Sequence, residues 1–291
     1  MQPGNPYLNM INPNVSPERF QEMMTKLGYY DPIYIKYLKW LGRVLQGDFG
    51  YSINYGISVV EVVTPRLINT LILSLFSFSL SIIIAITTGV ISAVKKNTIV
   101  DNVLTVISLI GISIPAFFFG MILLKIFAID LKVLPVSGMY SLNESYVGIE
   151  KFIDLIKHII LPGLVLALLQ TSSLMRFTRS AMIEELKKEY IKTARGKGLS
   201  VKKTIWKHGF RNALLPIITI LCMEIPSLFS GALLTETIFV WPGVGRLNYE
   251  ALLNRDYPLI MGLLMFLSLI IIISNIVADI LYAIIDPRIK Y

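Results

Sequence analysis

The sequence predicts an all-α integral membrane protein, a polytopic helical bundle, and three uncharged blocks carry most of that prediction. The chain has 291 residues, of which 54% are hydrophobic and 16% charged, whereas average proteins are about 25% charged. Its mean hydropathy is +0.66. No Asp, Glu, Lys or Arg occurs in residues 67–94, 102–124 or 257–278. Each block exceeds the roughly 18 apolar residues that cross ~30 Å of hydrocarbon as a helix.

Two further apolar runs are less clean, and with them the chain has about five predicted spans. Residues 159–175 are short and follow His158, while residues 212–235 contain Glu224. Cys222 stands alone in an apolar run, so no disulfide framework, metal site or cofactor is predicted. The predicted spans are residues 68–93, 103–128, 159–180, 212–235 and 258–284.

The positive charges predict which connections face the cytoplasm. Residues 95–101 have Lys95 and Lys96 against Asp101, and residues 184–211 carry nine Lys/Arg against three Glu. The connections 130–157 and 236–256 are slightly acidic. Since short positive loops stay inside, residues 184–211 and the terminal DPRIKY are expected in the cytoplasm. The same rule accounts for the net charge of +8 without a nucleic-acid partner.

This topology places residues 1–66 outside the cell as an extracytoplasmic segment, followed by a transmembrane domain at 67–291. The segment is polar, with turn-rich PGNP and NPNVSPE stretches and an amphipathic patch at 34–45. It has no apolar leader of its own to carry it across a membrane. We therefore expect a first transmembrane helix upstream of Met1; the alternative is a five-span variant.

Residues 184–211, called the basic segment below, are patterned like folded structure rather than a linker. A cation at mid-bilayer costs about 3 kcal/mol, so the segment must stand in water between two spans. Residues 181–195 have apolar or small side chains at helical spacing, which predicts one amphipathic helix with Tyr190 on its apolar face. Gly196 and Gly198 then end it, and Ser200 is placed to cap a second short helix. The apolar positions of that second helix are Val201, Ile205 and Trp206.

Three interpretations of the basic segment compete. A solvated loop that only fixes topology explains the charge, but it needs neither the Gly-x-Gly break nor the apolar face. A nucleotide site is suggested by GKGLSVKKT, which loosely resembles a phosphate loop. It has no second Gly before Lys203–Thr204, and no strand precedes it, so no ATP site is predicted in this chain. The pattern favours a docking surface for a partner.

Several stretches resemble the permease subunits of ATP-binding-cassette importers. EYIKTARGKGL followed by KHGFRNALLP resembles their conserved cytoplasmic loop. More narrowly, it is similar to the first of the two permease subunits of oligopeptide and dipeptide importers, whose nickel-importing relatives share the pattern. YDPIYIKYLKWLGRVLQGDFGYSI, WPGVGRL and ADILYAIIDPRIKY extend the resemblance over nearly the whole chain. PGNP resembles the sequence just after the family's first helix.

The resemblance implies that part of the basic segment inserts into an ATPase subunit. The general importer form reads Glu-Ala-Ala, three residues, Gly; here Lys192 and Thr193 take the first two places, and Ala194 and Gly198 match. His208–Arg211 stands where the general form has Ile-x-Leu-Pro. Both departures resemble the peptide-importer subclass. The residues assigned to docking are Glu189, Tyr190, Thr193, Ala194, Arg195, Gly196, Lys197, Gly198 and Leu199.

The resemblance also implies the partners and the location. The partners would be a second, homologous permease, two cytoplasmic ATP-binding subunits, an extracytoplasmic substrate-binding protein, a peptide substrate and membrane lipid. The location would be the cell membrane of a prokaryote. The chain is expected to form half of the translocation path and to transmit the stroke of ATP hydrolysis, without being an enzyme itself.

Glu224 is a candidate for the substrate path, because an ionisable residue within a span is costly and usually faces a cavity or a partner. It could attract the amino terminus of a peptide, pair with the second permease or be protonated. The polar cluster at 170–173, with Gln170, Thr171, Ser172 and Ser173, is a weaker candidate of the same kind, since hydroxyls also bond to helix backbone; Gln170 and Ser173 are its assigned path residues. Positions where spans could kink are Pro115, Pro162, Pro216 and Pro226.

Other classes fit less well. A nickel importer permease shares these motifs and stays open as an alternative. A secondary transporter or channel would typically have an internal repeat, which the sequence does not show, and would not need a glycine-broken docking loop. A membrane enzyme would need a convergent nucleophile and base or a metal cluster. His158 and His208 lie at span edges with no metal-ligand spacing between them.

Overall fold

The computed structural model describes residues 30–142, 146–229 and 232–285, together with Gln21 and Thr25. Ten helices occur in this part of the chain. The first five are α1 (Ile33–Val44), α2 (Val59–Val94), α3 (Ile99–Ser113), α4 (Ala116–Asp130, π-helical from Leu124) and α5 (Ile149–Leu186). The others are α6 (Glu189–Gly196), α7 (Val201–Phe229), α8 (Leu233–Ile238), α9 (Val244–Leu253) and α10 (Tyr257–Ile285).

The helices confirm the all-α membrane class. Among the described residues, four helices are long and apolar enough to cross a membrane, and α3 with α4 make a fifth span if that bent pair is counted as one. The amphipathic patch at 34–45 is helical, as α1. The PGNP and DPRIKY stretches lie outside the described residues.

Two helices begin earlier in the sequence than the predicted spans, because a hydropathy prediction ends at charged residues that these helices include. α2 begins at Val59 rather than near residue 68, since Glu61 is exposed and Arg66 half-buried, while Val62 and Val63 are buried. α5 begins at Ile149, inside the connection predicted at 130–157. There the Asp154 carboxyl group accepts hydrogen bonds from the Ser141 backbone N–H and hydroxyl, both at 2.7 Å.

Two other spans are interrupted where prolines occur. The predicted span 103–128 is broken at Ile114–Pro115, and its two helices are bent by 102°. Proline lacks a backbone N–H and drives the preceding residue out of the helical region; Ile114 is extended, with ψ of 124°. The predicted span 212–235 ends early, at Phe229, through a 3-10 turn that contains Pro226. Pro162 and Pro216 lie inside α5 and α7.

The described residues form two compact units. The first comprises the chain up to Leu67 together with Leu247–Leu269, and the second comprises Ile68–Arg246 with the chain from Ile270. In the second unit, α5 is the central helix: it packs against α3, α4 and α7. Its buried side chains enter three apolar clusters, the largest of which joins α2, α5 and α7 around Met182 and Ile217, both fully buried.

Candidate functional site

The basic segment folds into a turn, a short helix and a capped re-entry into α7. A single helix over 181–195 was predicted, and this is wrong: α5 ends at Leu186, and Lys188 is extended, with ψ of 151°, before α6 begins. The Glu185 carboxylate holds this turn, because it pairs with Lys188 and accepts a hydrogen bond from the Tyr190 hydroxyl at 2.6 Å. The turn directs α6 back onto the 204–210 part of α7.

α6 has one buried face and one charged face. Ile191 and Ala194 are buried, at 2% and 7% exposure. Glu189 is 82% exposed and pairs with Lys192 at 2.7 Å. Tyr190 lies at the border, partly buried. Of the remaining predicted docking residues, Leu199 is half-buried. The others are exposed, namely Thr193, Arg195, Gly196, Lys197 and Gly198.

Tyr190 links α6 to both flanking spans. Its hydroxyl donates to Glu185 at the end of α5 and accepts from the Asn212 side-chain amide at 3.1 Å in α7. Burial, supported by the hydrogen bond to Glu185, raises the pKa of the Tyr190 hydroxyl. The hydroxyl therefore keeps its proton and donates at neutral pH. Sequence periodicity placed Tyr190 on the apolar face but gave no sign of these two bonds.

Gly198 ends α6 in a left-handed conformation, with φ of +82°. The Gly198 N–H donates to the Arg195 carbonyl at 2.9 Å, and the Leu199 N–H donates to the Ala194 carbonyl at 3.3 Å. These are the two bonds of a Schellman motif, in which glycine avoids the penalty of a side chain at φ > 0. The predicted glycine stop is confirmed, and Ser200 caps α7 by accepting from the Lys203 N–H at 3.4 Å.

The predicted apolar face of the second helix is correct only for Ile205. Val201 and Trp206 are 58% and 49% exposed. Trp206 lies within the π-helical turn Thr204–Phe210, which widens the helix and shifts the register there. Val201 precedes this turn, at the first position of α7. Thr204, Ile205 and Gly209 are the residues that this turn buries.

An ion pair that sequence analysis missed ties α5 to the first turn of α3. Arg179 contacts the Asp101 carboxylate with two nitrogens, Nε at 2.7 Å and Nη2 at 2.8 Å. Asp101 is 2% exposed and also accepts from the Ser92 hydroxyl and from the Asn97 N–H. Asp101 entered the sequence argument only as a loop charge. The signal was the position of Arg179 near the end of an apolar span.

The three predicted path residues line one cavity in the second unit. It has a volume of about 460 Å³ and lies among α2, α5 and α7. Ser81 donates to the Gln170 side-chain oxygen at 3.4 Å, and Glu224 is exposed, accepting from Ser227 at 3.3 Å. Thr171 and Ser172 of the same cluster face a different cavity. The lining is Phe78, Ser81, Leu169, Gln170, Ser173, Leu174, Phe177, Ile220, Leu221 and Glu224.

A second feature missed by sequence reasoning is the Trp241 loop, residues 236–247. The Glu236 side chain is fully buried, and its carboxyl group accepts from the Thr70 hydroxyl at 2.8 Å and the Arg246 N–H at 2.9 Å. Trp241 is also fully buried, and its indole N–H donates to the Asn69 carbonyl at 2.9 Å. The loop is thereby fixed to α2.

Comparison with known proteins gives a consistent picture. A family described as "Binding-protein-dependent transport system inner membrane component" matches residues 85–291. The chain is 43% identical to the oligopeptide transport system permease protein AppB of Bacillus subtilis, over 99% of this chain and 90% of that protein. It is 37% identical to the dipeptide transport system permease protein DppB of Escherichia coli, over 100% and 91%. The family resemblance read from the motifs is therefore confirmed.

A solved structure supports the fold. The inward-facing methionine transporter MetNI aligns with a TM-score of 0.60 at 14% identity, covering 78% of this chain and 97% of that one. At this identity the likeness concerns the fold alone.

Proposed function

Because the chain belongs to the family of inner membrane components of binding-protein-dependent transport systems, we propose that it is the permease subunit of an ATP-driven importer of oligopeptides or dipeptides. The names of its relatives AppB and DppB support this substrate class. In the proposed complex, a second, homologous permease completes the path, and two ATP-binding subunits dock in the cytoplasm. A substrate-binding protein delivers peptide from outside the cell membrane of a prokaryote.

The observation that carries the coupling role is the geometry of α6. A helix with a buried apolar face and an exposed charged face moves as a rigid body only if its ends are held. The Glu185 turn holds its start, and the Schellman motif at Gly198 holds its end. A groove on an ATPase subunit would grip the exposed face of α6 and displace the ends of α5 and α7 together.

The ion pair Asp101–Arg179 extends this coupling. Arg179 lies two turns before the end of α5, so a displacement of that end would reach α3 through the two short bonds to Asp101. Breaking a buried pair by removing one partner costs about 3–5 kcal/mol. The connection is therefore stiff, as transmission of a stroke between alternative helix packings requires.

Substitution of the two glycines of α6 tests the coupling role. Valine at position 198 would be forced into a left-handed conformation that costs about 1–2 kcal/mol and should release the end of α6. We expect Gly198→Val to insert normally but to take up several-fold less peptide per ATP hydrolysed. The measurement is peptide uptake and ATP hydrolysis by the assembled complex in proteoliposomes.

Gly196→Val is the matched control. A side chain at either position meets no atom within 4 Å, but Gly196 is helical while Gly198 is not. Gly196 is itself a predicted docking residue, so this control adds the same bulk to the docking surface without the backbone strain, and it should lose less coupling than Gly198→Val. Equal losses in the two variants would assign the effect to bulk rather than to the end of α6, and normal coupling in both would reduce the basic segment to a topology signal.

The cavity lined by Gln170, Ser173 and Glu224 is the proposed part of the peptide path in this subunit. Its walls are mainly apolar, with polar groups from three helices, which suits side chains of varied chemistry. Glu224 is exposed at this cavity and would meet the ammonium group of a peptide. Gln170 and Ser173 would offer hydrogen bonds to its amides.

Glu224→Gln tests this assignment. Removing the charge while keeping the shape should raise the KM for uptake of peptides with a free amino terminus, whereas peptides with an acetylated amino terminus should be unaffected. Glu224→Asp should restore part of the difference. Equal kinetics for free and blocked peptides in the wild type and in Glu224→Gln would remove Glu224 from the path.

A further inference from the structure

α1 presents an apolar face that the described part of the chain leaves largely exposed. Five large apolar side chains of α1 and its end are more than half exposed. Val44, by contrast, is 7% exposed, and Trp40 and Leu41 are half-buried, so the protein partly covers the second half of the helix. The exposed residues are Ile33, Tyr34, Tyr37, Leu38 and Leu45, at 54–79% exposure.

The opposite side of α1 is basic. An α-helix turns about 100° per residue, so Arg43, nine residues after Tyr34, lies on the opposite side of the helix. Lys36 and Lys39 fall on the same side as Arg43, and all three are exposed. Lys39 also pairs with Asp31 at 2.7 Å. The helix thus combines tyrosines and aliphatic residues on one side with three cations on the other.

The chain after α1 lies against a membrane-spanning helix of the same unit. The ring of Phe49 packs edge-on against Phe266 of α10, with ring centres 5.8 Å apart. Phe266 is nine residues into α10, roughly 13 Å along its axis. Leu45 lies four residues before Phe49, within about 14 Å of it. The end of α1 is therefore held within reach of the first half of α10, a helix long and apolar enough to span a membrane.

We infer that α1 lies in the plane of the membrane interface, with Tyr34, Tyr37 and Leu38 in the boundary between headgroups and acyl chains. Interfacial helices have this combination of a broad apolar face and a basic polar face, and tyrosine is enriched at the headgroup level. Lys36, Lys39 and Arg43 would then face water and the lipid phosphates. The partner of this surface is lipid, and the inference does not depend on which solute is transported.

The depth of two side chains on opposite sides of α1 tests the inference. Cys222 is the single cysteine of the chain and is buried, so Cys222→Ser gives a background for Tyr34→Cys and Arg43→Cys. Each variant, in its assembled complex, is spin-labelled and placed in nanodiscs of phosphatidylethanolamine and phosphatidylglycerol. Collision rates with oxygen, which partitions into lipid, and with a water-soluble nickel chelate are then measured.

We expect the label at position 34 to collide with oxygen several-fold more than with the chelate, and the label at position 43 to show the reverse. Collision of both labels with the chelate would overturn the inference, since it would place the apolar face in water. Protection of the position-34 label from both reagents would also overturn it, in favour of a protein partner. Leu38→Cys is a second probe of the apolar face if Tyr34→Cys does not assemble.

Discussion

The basic segment and the Trp241 loop both connect helices, but they are held in opposite ways. In α6 of the basic segment, the buried contacts are few and small, and the charged side chains are exposed. In the Trp241 loop, an indole and a carboxyl group are both fully buried, and each is bonded to α2. The basic segment exposes its charged side chains to solvent, whereas the polar groups of the Trp241 loop bond within the protein.

The bonds of the Trp241 loop reinforce one another. The Asn69 side-chain amide donates to the Pro242 carbonyl at 2.9 Å, and the Val244 N–H donates to the Thr70 hydroxyl oxygen at 2.9 Å. A Cβ at Gly243 would lie 2.3 Å from the Glu236 carboxyl group, so a larger residue there would displace it. The contrast teaches that the loop is a fixed anchor of the fold, whereas α6 leaves its charged face exposed, as the proposed docking role requires.

Each of the two regions contains a tryptophan, and replacing these residues should give the largest difference in stability between the regions. Trp241→Ala removes a fully buried indole and its bond to Asn69, and should lower the free energy of unfolding by about 3–5 kcal/mol. Trp206 in the basic segment is 49% exposed and touches Phe210 edge-on, so Trp206→Ala should cost about 1 kcal/mol or less. Denaturant unfolding in detergent micelles, followed by circular dichroism, measures both.

Similar losses in the two variants would break the comparison, because they would show the basic segment to be as firmly packed as the Trp241 loop. The peptide-uptake assay gives a second way to distinguish the two variants. Trp206→Ala is expected to retain stability even if it disturbs coupling, whereas Trp241→Ala should lose both together.

Much of the basic segment could be predicted from sequence because its determinants are local. A glycine at the end of a periodic helix and a serine before the next one decide their own backbone, and Gly198 and Ser200 do so here. The break at Lys188 could not be predicted, since it depends on how Glu185 bonds to Lys188 and Tyr190 once the chain has turned. Likewise, Pro115 predicts that the span is interrupted, but it does not predict the 102° angle between α3 and α4.

The bonds of the Trp241 loop could not be predicted, because their determinants are far apart in the sequence. The partners of Glu236 and Trp241 are Thr70 and Asn69, more than 160 residues away in sequence. No periodicity or spacing joins them, so Glu236 appeared only as one charge in a slightly acidic connection. The cavity is an intermediate case: Gln170 and Ser173 lie on one side of a single helix, while Glu224 meets them only through the packing of α5 and α7.

Replacing one glutamate in each region should give the smallest difference in the free energy of unfolding. In Glu236→Gln, the amide oxygen can still accept from the Arg246 N–H, but the NH₂ group then faces the Thr70 hydroxyl and the Ala232 N–H, and both donors lose their acceptor. The unmet bonds should lower the free energy of unfolding by about 1–3 kcal/mol. Glu189→Gln removes an exposed ion pair with Lys192, which is worth about 0–1 kcal/mol. The same unfolding measurement ranks the two. A loss at Glu189 equal to that at Glu236 would mean that the exposed face of α6 is already engaged within this chain, and the face would then not be available to an ATPase subunit.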